Sequence, residues 1–565
     1  MDSQWVFRKN IDSKISKRFA EELQVPEIIA NILLSRDIDT YREAVAFLKP
    51  SADSMHDPFL MKGMDEAVDR ILMAAKRKEN IIIYGDYDVD GVTATAILYI
   101  LLKEIGGEVS FYIPERIKEG YGLSINGIKE GINRGASLMI SVDCGMTNHK
   151  EISFAKENKI DFIICDHHEP LDELPEALSI LNPKQKDDNY PFKELAGVGV
   201  VFKLIQGIIE KTGSDPEDAL KFIDIVAIGT TADVVPLLGE NRFIVKKGLE
   251  KIKSNPSLGI MTLLETAGMT NTEITNWNII FGIAPRINAG GRIGSAEKGV
   301  QLLITDDINE ALRIAYILEN QNKKRKSLDV NILKDALELV EERFDPKSDY
   351  TIVLAKENWH LGVIGICASR IVERFYRPTV MISISDGIGK GSARSIPEFD
   401  IYSALKECSE IMVEFGGHKL AAGLTIKEEN IDKFICLFEE IVSKKLSHDT
   451  LVPKLKIDGY IVLDDINEEI VRMLKYFEPY GPENENPLFA ARNLQVVDDP
   501  KVLKNNHLKF KVRDHYVIFD AIGFGMGNLK YRLEPGAKNL DMAFHIDENY
   551  WCGKKSIQLK VKDLK

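Results

Sequence analysis

Ile81-Ile-Ile-Tyr-Gly-Asp86-Tyr-Asp88-Val-Asp90-Gly91 is a short apolar run that stops on carboxylates, and the chain repeats the device twice. Ser137-Leu-Met-Ile-Ser-Val runs into Asp143-Cys-Gly145, and Ile160-Asp-Phe-Ile-Ile-Cys runs into Asp166-His167-His168. Runs of this length with helical stretches between them predict parallel strands of an α/β sheet. Sites in such sheets lie at the carboxyl ends of the strands. At least four carboxylates and two imidazoles are therefore expected along one sheet edge. Closely spaced carboxylates do not all stay ionised without a cation, and a two-metal site is the simplest arrangement that satisfies them.

In extended chain alternate residues point the same way, so Asp86, Asp88 and Asp90 are expected to face one site. Gly91 would then turn the chain into a helix over Thr93–Leu102. Asp233, in Ile228-Gly-Thr-Thr-Ala-Asp-Val-Val-Pro236 after an apolar helix, is a further candidate. Alone, the first motif has the lesser reading of an acidic turn capping the helix that follows it, and Asp143, a lone aspartate at a strand end, is weak evidence because such a residue is often just a cap. Consecutive histidines at a strand end seldom serve packing, however, and the stops taken together point to a shared ion site. Carboxylates with one or two imidazoles and no thiolate disfavour structural zinc and suit Mn²⁺, with Mg²⁺ as the alternative. Two such ions about 3.5–4 Å apart activate a water and clamp both oxygens of an in-line phosphoryl displacement. Hydrolysis of a phosphoester or phosphoanhydride is the chemistry expected.

At 565 residues the chain is too long for one core. Its 44% apolar and 28% charged residues are those of a soluble globular protein. No stretch approaches the roughly 20 apolar residues of a membrane span, and the first residues lack the regions of a signal peptide. Six scattered cysteines without a CxxC pair predict a reduced, cytoplasmic protein. A formal charge of −14 argues mildly against an indiscriminate polyanion binder, yet a local basic channel can coexist with an acidic exterior.

Five segments are expected. Residues 1–50 read as a helical cap, 51–265 as the α/β domain carrying the acidic stops, and 266–345 as a helical linker with one long helix. A second α/β domain follows at 346–447, then a β-rich region at 450–565 with the short alternating segments of a barrel or sandwich. The second α/β domain offers three clusters that can hold phosphates: Ser369-Arg370 on a helix, Gly389-Lys-Gly-Ser392-Ala-Arg394-Ser395 with backbone amides and a guanidinium, and Gly416-Gly417-His418.

The set Asp86-Tyr-Asp88-Val-Asp90-Gly, Asp143, Asp166-His-His and Asp233 resembles the DHH phosphoesterase superfamily. The resemblance implies metal ligation by Asp86, Asp88, Asp90, Asp143, His167 and Asp233, with His168 at the scissile phosphate. The three clusters of the second domain resemble the DHH-associated domain, which implies substrate binding by Ser369, Arg370, Ser392, Arg394 and His418. Ala284-Pro-Arg286-Ile-Asn288-Ala-Gly-Gly-Arg292, with Asn322 and Arg325 on the long helix, resembles the interdomain segment of the RecJ branch, which adds Arg286, Asn288, Asn322 and Arg325 to the substrate set. Leu33-Leu-Ser-Arg36, Phe47-Leu-Lys-Pro50 and Phe477-Glu-Pro-Tyr-Gly481 resemble the same branch, whose C-terminal region is an OB-fold. Gly481-Pro-Glu-Asn-Glu-Asn-Pro487 departs from the glycine-asparagine pair more frequent there. Tyr84 stands where smaller superfamily members have a histidine.

What the resemblance implies is a 5′-to-3′ exonuclease for single-stranded DNA, using two Mn²⁺ ions and acting in recombination and repair. Single-strand binding protein and a RecQ-type helicase are partners implied by the family alone. The alternatives are a nanoRNA or cyclic-dinucleotide phosphodiesterase and a non-catalytic replication scaffold; the first typically lacks the flanking segments, the second the intact acidic motifs. Tyr460, Phe510 and Tyr516 of the β-rich region are candidates for stacking on bases, but aromatic residues in strands more often serve the core, so they are left out of the site set.

Overall fold

A strand buried on both faces needs no polar alternation, and the run Ile81-Ile-Ile is such a case: each side chain is at most 1% exposed. It lies in β1 (Asn80–Gly85), which joins β2 (Glu108–Tyr112), β3 (Ala136–Val142), β4 (Asp161–Cys165) and β5 (Ser179–Leu181) in an all-parallel sheet of order β2-β1-β3-β4-β5. The order reverses between β1 and β3, where connections diverge to opposite faces and leave a crevice. Asp86 and Asp143 are the residues that leave those two strands, and Asp166 leaves β4. The computed structural model describes residues 3–565 apart from 10, 116–118, 121, 271 and 552, so Cys552 lies outside the described residues.

Helix α1 (Val89–Glu104) begins four residues before the expected Thr93. Asp88 is its N-cap, accepting from the amides of Asp90 and Gly91 at 2.9 and 3.2 Å. The first motif is therefore a strand-to-helix corner and not extended chain, because a capping carboxylate stabilises the helix start right behind the strand. Gly91 does not turn the chain. It lies in the first turn of α1, where a Cβ would stand 2.6 Å from the Asp86 carbonyl oxygen. Helices α2 (Gly197–Lys211) and α3 (Ile223–Ala232) pack on α1.

The stretch expected as a linker is instead part of this layer. Helix α4 (Ala284–Ile293) packs on α1 and on α5 (Ile308–Arg343), and Gly299 approaches Val92 of α1 so closely that a Cβ would lie 2.9 Å away. Apolar faces on short helices bury against whatever sheet layer is adjacent, so they do not stay free-standing. The 36 residues of α5 extend about 54 Å.

The second sheet has the order β9-β10-β8-β7-β6, from β6 (Ile352–Glu357), β7 (Thr379–Ser385), β8 (Ile388–Arg394), β9 (Met412–His418) and β10 (Ala421–Lys427). Its helix α6 (Leu361–Phe375) packs on β7 and β8. The glycine-rich run at 389–395 is thus a strand between two partners, and its amides are taken up in both ladders. Only its side chains can reach a ligand. These elements make up one compact unit, His56–Val235 with Ile244–Val452.

The second unit contains the stretch up to Met55, Pro236–Phe243 and Pro453–Lys565. Five strands close into a barrel: Phe489–Val496, Lys538–Trp551, Lys554–Leu564, Val517–Gly523 and His507–Asp514, the last pairing back to the first through Gln495–Arg513 and Val496–Val512. Closure removes the free edges of an open sheet. Helices Ser13–Leu23, Glu27–Ser35 and Tyr41–Leu48 put Phe19, Ile29, Leu33 and Phe47 into the same core as Phe477 and Phe489. Residues 1–50 therefore share a core with the β-rich region. The buried Arg242 guanidinium donates to the carbonyls of Phe47, Tyr476, Phe477 and Glu478 at 2.6–3.0 Å, tying three separate stretches of this unit together. No helix among the described residues is long and apolar enough to cross a membrane.

Candidate metal centre and phosphate cleft

His167 Nε2 points into a ring of carboxylates, 3.3 Å from Asp143 Oδ1, 3.4 Å from Asp233 Oδ2 and 4.0 Å from Asp90 Oδ2. Three ligand triads overlap there: Asp143 with His167 and His168, Asp90 with His167 and Asp233, and Asp86 with Asp88 and Asp143; within each, the ligand atoms lie within 4.8 Å of one another. The backbone is strained to build this. Asp143 is left-handed at φ +62°, and Gly197 must be glycine because a Cβ would lie 2.6 Å from Asp143 Oδ1. Asp233 caps the C-terminus of α3, the unfavourable end for a carboxylate. The next residue, Val234, is a β-branched side chain held at φ +63°, a strained conformation of the sort that collects at functional sites.

The electrostatics show a cluster short of positive charge. Burial, then the neighbouring Asp88, pushes the Asp90 carboxyl up to about 7. Burial and then repulsion from Asp90 and Asp88 hold Asp143 and Asp233 well above the usual carboxylate range. Burial, then the His168 charge, lowers His167 to about 3, so its imidazole is neutral. His167 Nε2 and Asp233 Oδ2 are buried and make no hydrogen bond. A donor set of hard carboxylate oxygens with one neutral imidazole, whose carboxyls hold their protons for want of nearby positive charge, fits divalent cations of the Mn²⁺ or Mg²⁺ type. The adjacent Cys144 is no competitor, since burial and then Asp86 push its thiol well above its ordinary range.

The aspartates are not equivalent. Both oxygens of Asp90 accept amides at the start of α2, from Gly197 and Val198 at 2.7 Å each, so this side chain also fixes α2 against α1. Asp166 organises the histidine corner. It accepts from the amides of His167 (2.8 Å), His168 (3.2 Å) and Met146 (3.1 Å) and from His168 Nδ1 at 2.7 Å. Burial opposes its charge, but the His168 hydrogen bond and the two imidazoles outweigh it and bring Asp166 down to about 2. Burial likewise opposes the His168 charge, and the same bond raises that ring. An ionised carboxylate only accepts, so His168 Nδ1 carries the proton.

The cluster forms one wall of a cleft of about 840 Å³, reached by Asp88, Asp143, His168 and Asp233. The rest of the lining carries Ser392, Lys390 and Arg394 of β8, His418 of the exposed edge strand β9 and Arg292, with Glu169 and Glu414 among them. Arg394 Nη1 donates to Ser392 Oγ at 3.0 Å, which aligns the pair. Lys390 and Arg292 were not singled out in the sequence, although both lie within stretches read as binding phosphate or substrate. Alternation along β8 would have grouped Lys390 with Ser392 and Arg394, and helical spacing pairs Arg292 with Asn288 on α4.

Arg286, Asn288, Asn322, Arg325, Ser369 and Arg370 do not line the cleft. Arg286 pairs with Glu319 at 2.7 Å and donates to the Gly282 carbonyl at 2.6 Å. Arg325 donates to Asn322 Oδ1 at 3.1 Å, and Arg370 pairs with the buried Asp329 at 3.1 Å, forming a polar seam between α5 and α6. Ser369 donates to the Gly365 carbonyl of its own helix. Asn288 is partly exposed, one turn before Arg292.

Residues 80–230 match the DHH family N-terminal domain, 348–444 the DHHA1 domain and 457–563 the RecJ OB domain. The chain is 38% identical to the single-stranded-DNA-specific exonuclease RecJ of Bacillus subtilis, over 99% of this chain and 70% of that protein. It is 32% identical to the exonuclease of the same name from Salmonella typhimurium, over 96% of each. Among solved structures it resembles RecJ in complex with Mn²⁺ from Thermus thermophilus, with a TM-score of 0.85 and 29% identity over all of this chain and 79% of that one. With these three domains along one chain, the acidic cluster at the sheet's switch point and near full-length likeness to these exonucleases, the chain belongs to the RecJ family.

Proposed function

We propose that this protein is a single-stranded-DNA-specific exonuclease that hydrolyses phosphodiesters from the 5′ end and releases 5′-mononucleotides, in DNA recombination and repair. The observation that carries the reading is the cleft itself, which brings a carboxylate–imidazole cluster together with Lys390, Arg394 and Arg292. Asp86, Asp88, Asp90, Asp143, His167 and Asp233 would hold two divalent ions, Mn²⁺ or alternatively Mg²⁺. When bound, such ions supply an activated water and neutralise charge on the phosphoryl group.

The remaining work belongs to the chain's own side chains. Asp166 fixes the His168 ring through Nδ1, which leaves Nε2 to hydrogen-bond a phosphate oxygen or carry a proton to the leaving 3′ oxygen. Arg394, aligned by Ser392, offers a planar fork to non-bridging oxygens, and Lys390, Arg292 and His418 add further donors. Asn288 and Arg370 extend the substrate-binding set from accessible positions, while Arg286, Asn322, Arg325 and Ser369 act by fixing the helices that carry it. A cytoplasmic location goes with this substrate. Single-strand binding protein and a RecQ-type helicase are the partners proposed, on family resemblance.

The test uses DNA labelled at either end, single- or double-stranded, with matched RNA, in Mn²⁺ or EDTA. The expected result is immediate release of a labelled mononucleotide from the 5′-labelled single strand, progressive shortening of the 3′-labelled one, and no reaction in EDTA. Equal rates on duplex, or release from the 3′ end, would refute it.

A further inference from the structure

Trp277 and Phe281 are each 61% exposed, yet their rings stack on one another with centroids 4.8 Å apart and planes 16° from parallel. They stand on a continuous helical rod: Asn276–Asn278, a π-helical turn at Ile279–Ile283, then α4. Turns of that type are rare and concentrate at functional sites. The most accessible stripe along the rod runs through Trp277, Phe281, Pro285, Asn288 and Arg292, which are exposed or partly exposed. Ile283, Arg286, Ile287, Ala289 and Gly290 between them are buried, and Asn278, Ile280, Gly291 and Ile293 are only partly exposed beside it. The spacing of four, four, three and four is that of one helical face. The stripe ends inside the cleft, because Arg292 lines it and Gly291 abuts the first-motif backbone at Tyr87.

Two large rings facing water are costly unless something covers them. The chemistry along the stripe says what does: flat aromatic faces at the outer end, an amide midway, a guanidinium at the cleft. A polynucleotide single strand has the matching order, with unpaired bases outside and a phosphate held within. A duplex offers no free base face to such a ring. We infer that Trp277 and Phe281 form a base-stacking platform for the single strand as it leaves the cleft. The inference rests on the proposed single-stranded-DNA substrate and adds a determinant of strand selection outside the metal centre. Phe281 and Arg292 are about 16 Å apart along a helix, which an extended strand covers in a few nucleotides.

Hydrolysis of a thymidine dinucleotide and of a long oligothymidylate by the full chain in Mn²⁺ tests this, comparing wild type with the Trp277→Ala/Phe281→Ala double variant and with Trp277→Phe. The double variant should raise KM on the long strand on the order of fivefold or more, leave kcat and dinucleotide hydrolysis unchanged, and lose the quenching of tryptophan fluorescence that the long strand causes. Trp277→Phe, which keeps a ring, should restore KM. An unchanged KM on the long strand, or equal losses on both lengths, would overturn the platform. Failure of wild type to hydrolyse the long strand at all would instead sink the substrate reading, and the platform with it.

Discussion

Asp143 concentrates the logic of the site at the scale of one residue. It is left-handed, buried, crowded by the Gly197 backbone and surrounded by further carboxylates, none of which a folding role alone requires. Asp143→Ala or His167→Ala should cut turnover by about a thousandfold or more while the far-ultraviolet circular dichroism stays that of wild type; near-normal turnover by either purified variant would refute their place in the centre. A pH dependence follows with a definite sign. The raised carboxyls of Asp90, Asp143 and Asp233 keep their protons in the fold to higher pH than in the unfolded chain. Their contribution is complete below the unfolded carboxylate range, near pH ~4, and is lost as pH rises through the raised values, about 7 for Asp90. In EDTA the Tm should therefore fall between about pH 4 and 7, roughly by several degrees. Mn²⁺ should reverse the trend, and Asp143→Asn should flatten it. A Tm that rises across that window in EDTA would contradict the charge assignment. Asp86 and Asp143 were legible because a carboxylate behind an apolar strand is a local pattern. The double backbone engagement of Asp90 was not, since its partners at Gly197 and Val198 are far away along the chain.

At the scale of elements, the strand-to-helix corner at 85–91 decides whether the ligands meet. A methyl group at residue 91 would press on the Asp86 carbonyl oxygen at 2.6 Å and its amide nitrogen at 2.7 Å, both backbone atoms that cannot swing aside. Gly91→Ala should thus displace Asp86, cost about 1–3 kcal/mol, and reduce Mn²⁺ affinity measured by calorimetry; wild-type affinity would show that the corner tolerates the shift. The second sheet shows why composition misleads. Gly389 and Gly391 read as presenting backbone amides to phosphates, but a Cβ on Gly391 would stand 3.0 Å from Leu424, so the glycines permit close strand packing instead. Parallel strands declared themselves by continuous apolar runs, whereas the central strand β8 carries too few large side chains to do so.

The whole molecule was the least legible level, because amphipathic spacing tells which face of a helix is buried but not against what. Residues 1–50 and 450–565 were read as separate segments, yet Phe19, Ile29, Leu33 and Phe47 complete the core around Phe477 and Phe489. Ending the chain near Lys445 should therefore leave an exposed apolar surface and an aggregating product. Removing the stretch up to Met55 together with Pro453–Lys565, with Arg242→Ala because the retained Pro236–Phe243 loses its partners, should instead give a folded first unit that hydrolyses very short oligonucleotides but binds long strands more weakly and with a shallower salt dependence. Equal losses on short and long substrates would deny the second unit a role in holding DNA.

The claim on which the rest depends is that Asp86, Asp88, Asp90, Asp143, His167 and Asp233 hold two divalent ions. Calorimetric titration of Mn²⁺ into the EDTA-stripped chain, beside release of a 5′ label from single-stranded DNA, measures it directly. Two ions per chain are predicted for wild type, with hydrolysis appearing as both sites fill, and one ion or none for His167→Ala, without hydrolysis. Full hydrolysis in the absence of divalent metal, or two-ion binding with undiminished turnover in His167→Ala, would contradict it.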